Sequence, residues 1–365
     1  MKIKEVISKL EELAPPSLQE NYDNAGLLTG NNHWQCTGIV CSLDVTEAVV
    51  LDAIEKKCNL IVAHHPIIFG GLKKINGNNY VEKTIIAAIK NDIAIYAIHT
   101  NLDNVLHGVN KKIADKLGLI NTQPLLPKEN MLQKLYTFVP TAYAEKLRTA
   151  LFAVGAGHIG NYSECSFNTK GAGTFKAEEN THPFVGKKGQ RHEEEEIKIE
   201  VIFPNWLQKN ILTALKKVHP YEEPAYDIIP LNNVYAATGS GLIGELPKPV
   251  EEKTFFKKVK RAFDLQVIKH TKWLNKPIQK VAICGGAGSF LIKKATAAGA
   301  DLYLTADIKY HEFFDANDNL IVADIGHYES EQYTIELLLD FLQKKFPNFA
   351  VLKSKVNTNP VNYFL

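Results

Sequence analysis

Two adjacent histidines, His64 and His65, stand directly after the apolar run LIVA and directly before Pro66. Proline has no N–H to give a strand ladder, so the pair falls at the carboxyl end of a buried strand. At that edge of an open α/β sheet the loops converge and ligands bind. Successive strand residues point to opposite faces, but at a terminus both side chains can turn into one crevice. Asp103, in HTNLDN, follows the apolar run IAIYAI and belongs to the same kind of edge, although by itself it reads as a turn or cap before VLHGVNKKIADKL. His99 and Thr100 share that position as groups able to orient a ligand from behind. Far along the chain His327 follows LIVADIG, and Glu331 lies one helical turn later on the same face. His-x-x-x-Glu is weak alone, because the helix dipole already favours a first-turn glutamate. The weight comes from convergence: three histidines and two carboxylates, all expected at the carboxyl edge of one sheet.

Imidazole and carboxylate without thiolate suit zinc, with iron or manganese as alternatives. Five ligands exceed what one tetrahedral ion takes, so two divalent ions sharing a carboxylate is the economical arrangement. It leaves positions open for water, whose pKa on a metal can fall to ~7, making a hydrolytic nucleophile available. The five cysteines, Cys36, Cys41, Cys58, Cys165 and Cys284, form no CxxC pair and read as reduced, small buried hydrophobes.

The elements that must position these residues follow a clear rhythm. From Gly38 the chain reads strand (GIVCSLDV), helix opened by Thr46, strand (LIVAHHP), helix (YVEKTIIAAIKNDI), strand (IAIYAIHTNLD), with the apolar strands of a parallel sheet. The grammar returns in KVAICGGAG, SFLIKKATAAGA, DLYLTADI, KYHEFFDA and LIVADIGH, followed by one long helix from about Tyr328 to Phe346. The two ends therefore read as halves of one layered α/β unit. Between them, roughly residues 130 to 231, the order becomes β-α-β-β-α-β, the ferredoxin-like plan of an inserted α+β domain. The expected boundaries are 1–127, 128–233 for the insert, and 234–365. The HEEEE run within it reads as a solvated hairpin flank.

With 365 residues, 45% apolar and 22% charged, the chain has material for two or three globular domains and is not of disordered composition. A net charge of +2 provides no field that selects nucleic acid or an anionic membrane. MKIKEVISKLEELAPP reads as an amphipathic helix and not as a signal peptide, and no apolar run approaches ~18 residues, so a cytoplasmic location without membrane contact is expected.

The motifs DNAGLLTG (23–30), AHHPIIFGGLKKI (63–75), HTNLD (99–103), CGGAGS (284–289), LTADIKYHE (304–312) and DIGHYESE (324–331) together resemble the Nif-three-like family of GTP cyclohydrolase 1 type 2 homologues. The resemblance implies a three-layer Nif-three-like α/β fold and a dinuclear metal site. It places His65 and Asp103 on one ion, His64 and His327 on the other, and Glu331 between them. It also implies a ring-shaped homohexamer, and a hydrolase that opens the imidazole ring of GTP with release of formate. Asp23, His99, Asp307 and His311 lie in the family motifs, and the last three are candidate catalytic residues. The insert resembles a PII/CutA-like domain, with HPYEEPAYD (219–227) similar to that group's HPYE signature, and such domains trimerise through their sheets. An alternative for the whole is a non-enzymatic metal-binding scaffold or chaperone with a sensing insert. Ala306 and Ala287 depart from the family pattern of a TGD triplet and an all-glycine turn. CGGAGS lacks both GxGxxG and a P-loop lysine, so it reads as a tight structural turn before a phosphate cradle.

Overall fold

The strands that carry the candidate ligands are apolar along their whole length because both of their faces are covered. Ile39–Ser42, Leu60–Ala63 and Ala94–Ala97 are buried throughout. Side-chain alternation splits them between two cores: Ile39, Cys41, Leu60, Val62 and Tyr96 face one, and Val40, Ile61, Ala63 and Ile95 face the other. The computed structural model describes residues 1–364. In it these strands pair in parallel, extended by Val351–Lys353 beside Ile39–Ser42 and by antiparallel Gly26–Thr29 beside Ala94–Ala97.

The second half of the pattern builds a separate sheet and not a continuation of the first. Its six strands run in the order Lys269–His270, Ile321–Asp324, Leu302–Ala306, Ile278–Ala287, Gly239–Val250, Ile120–Pro127, with parallel pairing confined to the three buried ones, Ile278–Ala287, Leu302–Ala306 and Ile321–Asp324. The expectation of one sheet is thus corrected, for a physical reason: a doubly apolar run says that both faces are covered, but not which strand it bonds to. Each sheet takes one strand from the other end of the chain, Val351–Lys353 in the first and Ile120–Pro127 in the second, and this exchange ties the two segments into one unit.

A shared core lies between the sheets. Into it point Leu302, Leu304, Ile321 and Ala323 from the second sheet, and the apolar faces of the helices Ile3–Leu13, Val109–Leu117, Glu252–Ala262 and Thr334–Lys345. The helices Glu47–Glu55 and Tyr80–Lys90 cover the outer face of the first sheet, and Ile292–Ala297 that of the second. Thr46 caps Glu47–Glu55, its side chain accepting from the Val49 N–H. The long C-terminal helix of the sequence reading is in fact two, His327–Glu331 and Thr334–Lys345, and the first of them carries ligand candidates at both ends.

The chain forms two compact units, Met1–Pro127 with Ala237–Leu365, and Lys128–Ala236. The second unit has the strands Leu132–Pro140, Phe167–Lys176, Arg191–Pro204 and Tyr226–Leu231 and the helices Ala144–Ala153 and Gln208–Val218. Its antiparallel sheet runs in the order Phe167–Lys176, Arg191–Pro204, Leu132–Pro140, Tyr226–Leu231, which is the split β-α-β arrangement. Leu135, Val139, Ile199 and Val201 pack against Leu147, Leu151, Ile211 and Leu215 to form its core. The HEEEE run lies within the strand Arg191–Pro204, where its residues alternate between exposed and half-buried. Among the described residues no helix is long and apolar enough to cross a membrane.

Candidate metal centre

The five residues singled out in the sequence meet in the first unit, drawn from the ends of strands in both sheets. His64 is fully buried, and its Nδ1 lies 2.9 Å from the Ile98 carbonyl oxygen. A carbonyl only accepts, so Nδ1 is the donor in this contact, which leaves Nε2 as the atom turned toward the carboxylates. That atom stands 3.6 Å from Asp103 Oδ1 and 3.7 Å from Glu331 Oε1. His64 Nε2 and Asp103 Oδ1 are both buried and have no hydrogen-bond partner. On the other side of Glu331, Oε2 lies 2.9 Å from His65 Nε2 and 3.0 Å from His327 Nε2, and the two ring nitrogens are 3.3 Å apart. Each of these rings is held from behind by a carboxylate, His65 Nδ1 at 2.7 Å from Asp44 Oδ1 and His327 Nδ1 at 2.7 Å from Asp307 Oδ2.

The geometry sorts the ligands differently from the family-based pairing of His65 with Asp103 and His64 with His327. Among the described residues three groups have donor atoms within 4.8 Å of one another; two of them share Glu331, namely His65, His327 and Glu331, and His64, Asp103 and Glu331, while the third is His64, His65 and His99. The cause is the anchoring of the two neighbouring rings. The Ile98 carbonyl turns His64 toward Asp103, whereas Asp44 turns His65 toward the helix His327–Glu331. Glu331 faces both groups, one oxygen to each.

Burial acts to raise the Glu331 carboxyl, but the imidazoles of His327, His64 and His65 outweigh it and hold the group well below the usual carboxylate range. Burial works against charge on the histidines too, yet Asp44 and Glu331 raise His65 to about 9, and Asp307 and Glu331 raise His327 to about 11. Asp103 goes the other way: burial and the neighbouring Glu331 charge push it up to about 8. Donor atoms of His64, Asp103 and Glu331 converge in a buried space where His64 Nε2 and Asp103 Oδ1 have no hydrogen-bond partner, and this fits a cation, since an unpaired buried polar atom otherwise costs about 1–3 kcal/mol. An all-nitrogen-and-oxygen donor set of imidazole and carboxylate suits zinc, iron or manganese.

Of the catalytic candidates, His99 sits beside the cluster, its ring centroid 5.3 Å from that of His64 and 5.4 Å from that of His65. Asp23 Oδ1 holds its Nδ1 at 2.7 Å, and Asp23 Oδ2 accepts from the Thr100 hydroxyl at 2.5 Å. Burial would raise Asp23, but these bonds hold it at about 2. Asp307 serves His327. His311 is not brought to the cluster: it is exposed on the turn Tyr310–Ala316 and packs against Tyr310 and Phe314.

Two functional groups were missed in the sequence. Asp44 follows strand Ile39–Ser42 in SLDV, the very edge position that marks out Asp103, and that signal could have found it. Gly286 is the other. With φ +64 it adopts the left-handed conformation, and a Cβ there would overlap Glu331 Oε1 and lie 3.2 Å from its carboxyl carbon. The glycine-rich turn therefore makes room for the carboxylate shared by the two groups. Ala287 is exposed just beyond it and Ala306 is buried at the end of the neighbouring strand, the two being paired in register.

The cluster forms the floor of a cavity of about 880 Å³ whose walls include Tyr22, Phe69, Phe290, Tyr328, Asn359 and Tyr363. That volume holds a nucleotide-sized molecule. Fold and site together define a mixed α/β protein with a histidine–carboxylate cluster of a kind that can hold metal ions. The chain belongs to the Duf34/NIF3 (NGG1p interacting factor 3) family, which matches residues 1–360. It is 42% identical over 363 residues to a GTP cyclohydrolase 1 type 2 homolog of Halalkalibacterium halodurans, covering 98% of each chain. With the Bacillus subtilis protein of the same name the identity is 37% over 365 residues, again 98% of each. A Bacillus cereus protein related to NIF3 has a crystal structure that matches with a TM-score of 0.89 and 38% identity, covering 100% of this chain and 99% of that one.

Proposed function

We propose that the protein is a dinuclear metal-dependent hydrolase acting on a purine nucleotide. The observation that carries the reading is the pair of buried, unpartnered lone-pair atoms, His64 Nε2 and Asp103 Oδ1, facing Glu331 at the bottom of a cavity large enough for such a substrate. His65, His327 and Glu331 would hold one divalent ion and His64, Asp103 and Glu331 the other, zinc being the first choice. When bound, such ions supply Lewis acidity and water acidified to a pKa of ~7. The chain's own residues do the rest. Asp44 and Asp307 orient the two exposed-side imidazoles, and Phe69 and Tyr22, whose rings lie 6.3 Å apart, offer apolar faces to a planar base. His99, fixed by Asp23, is placed to move a proton at the substrate. The names of the curated relatives make GTP the substrate to try, with ring opening and formate release as the reaction. Metal-loaded protein should release formate from GTP, and Glu331→Ala or His65→Ala should abolish it. Wild-type turnover no higher than that of these variants overturns the assignment.

A second reading, a metal-binding scaffold with a sensing insert, is favoured by a cavity of about 840 Å³ in the second unit, lined by Phe138, Phe175, Phe184 and Tyr221 among others. The β-α-β-β-α-β order and the four-stranded sheet support a PII/CutA-like assignment of this unit, and we propose with it a toroidal homohexamer whose inserts trimerise, located in the cytoplasm. Equilibrium binding of nucleotides to the full-length protein, with and without the cluster variants, separates the readings. Binding that survives Glu331→Ala and is lost in Tyr221→Ala belongs to the insert.

A further inference from the structure

We infer that the segment Asn357–Tyr363 clamps the two halves of the metal centre together and that Thr358 is a positioning residue for His65, acting through Asp44. The inference rests on the metal-centre reading above. After the edge strand Val351–Lys353 the chain is pinned at Ser354, whose N–H donates to the Cys41 carbonyl at 2.9 Å and whose Oγ donates to Asp52 Oδ2 at 2.9 Å. It then leaves the sheet without regular secondary structure, but it is not loosely held. The Asn359 N–H donates to Asn357 Oδ1 and the Val361 N–H to Asn359 Oδ1, each at 3.0 Å, two successive side-chain turns that fix the path of the backbone.

Along this path the segment touches Asp44, just after the first-sheet strand Ile39–Ser42, and the ligand-bearing helix His327–Glu331. The Thr358 hydroxyl donates to Asp44 Oδ2 at 2.5 Å, while Asp44 Oδ1 accepts from His65 Nδ1 at 2.7 Å. One residue on, Asn359 Nδ2 donates to Glu329 Oε1 at 3.2 Å, within the helix His327–Glu331. Asn359, Pro360, Val361 and Tyr363 then form part of the cavity wall. Asp44 is only half-buried, with 33% of its side chain exposed, so water competes for its oxygens and the carboxylate has room to rotate. With Oδ2 tied to Thr358, Oδ1 stays aimed at His65. With Oδ1 fixed, the imidazole keeps both its tautomer and its heading toward Glu331. The hydroxyl of Thr358 thus acts on a ligand it does not touch.

The test uses full-length protein stripped of metal with chelator and titrated with cobalt(II), read by its visible ligand-field spectrum and by competition with a chromophoric chelator. Thr358→Val keeps the shape and removes the donor; Thr358→Ser keeps the donor. Thr358→Val should weaken one of the two binding steps about ten-fold and alter the cobalt spectrum of that step, leaving the other step within about two-fold. Thr358→Ser should restore both, and the melting temperature of the metal-free protein should be the same in all three. Wild-type affinities and spectrum in Thr358→Val overturn the inference. So does an equal weakening of both steps accompanied by a lowered metal-free melting temperature, which is what a residue that only pins the segment would give. Wild-type protein that takes up no cobalt overturns the metal reading itself, and this inference with it.

Discussion

Replacing Gly286 by alanine separates a turn that is merely tight from one that makes room for a shared ligand. At φ +64 an L side chain costs about 1–2 kcal/mol whatever surrounds it. The new Cβ would also overlap Glu331 Oε1, and ordinary contact needs about 1 Å more. Glu331 has little space to yield it, since a Cβ at the neighbouring Gly285 would already lie 3.3 Å from Glu331 Cγ and the three imidazoles crowd its far side. A retreat of that size takes a carboxylate oxygen out of a ligand distance of about 2.0–2.2 Å. Two effects follow. The backbone cost lowers the melting temperature of the metal-free protein by about 2–8 °C, taking 2–4 °C per kcal/mol for a unit of this size. The displaced carboxylate weakens metal binding by at least the ten- to hundred-fold typical of a disturbed ligand shell. Scanning calorimetry of stripped protein reads the first, and chelator competition with zinc reads the second. A Gly286→Ala protein that melts lower but binds zinc as tightly as wild type would refute the link between this turn and Glu331.

Other outcomes follow from the same geometry. Asp307→Asn removes the acceptor behind His327 and should weaken zinc binding about 10–100-fold with little change in metal-free stability; unchanged affinity in chelator competition would show that the ring is oriented by something else. Loading at neutral pH must drive a proton from each of His65, His327 and Asp103, raised to about 9, 11 and 8, so affinity should rise with pH and calorimetry in buffers of different ionisation heat should detect proton release. In the metal-free protein the sign reverses for the histidines. Their folded values lie above the unfolded value of ~6.5, so the stability they contribute is complete below that pH and is lost as pH rises through about 9 and 11, which urea titrations at increasing pH will read. Leu135→Ala in the core of the second unit should cost about 2–5 kcal/mol there yet leave zinc affinity as in wild type, and a parallel loss of zinc would contradict the independence of the two units.

How much of this was legible beforehand depended on the kind of signal. Short apolar runs ending in chemistry-bearing residues, LIVAHH, IAIYAIHTNLD and LIVADIGH, marked strand ends whatever sheet they joined, and the structure brings together the four residues read from them with Glu331, read from its helical spacing after His327. The partnering of strands was not legible, because Leu60–Ala63 and Ile321–Asp324 carry the same pattern and sit in different sheets. Two strands were hidden by composition. INTQPLLP and GSGLIGELPKPV hold prolines and glycines that read as loop; the first lies at the sheet edge, where one side need not pair, and the second, paired on both sides, has breaks in its register at Ile243/Glu245 and Glu245/Val250. The pairing of ligands was beyond any spacing rule, since it turns on which way two adjacent rings are pulled by Ile98 and Asp44. Thr358 gave no signal at all in the sequence, because its partner lies 314 positions away.

The most direct measurement is a crystal structure of protein purified without chelator, with metals located by anomalous scattering. The account predicts two ions about 2.0–2.2 Å from their ligands, one held by His65, His327 and Glu331 and the other by His64, Asp103 and Glu331. Ions shared out as His65 with Asp103 and His64 with His327, or no anomalous peak at this cluster, would contradict it.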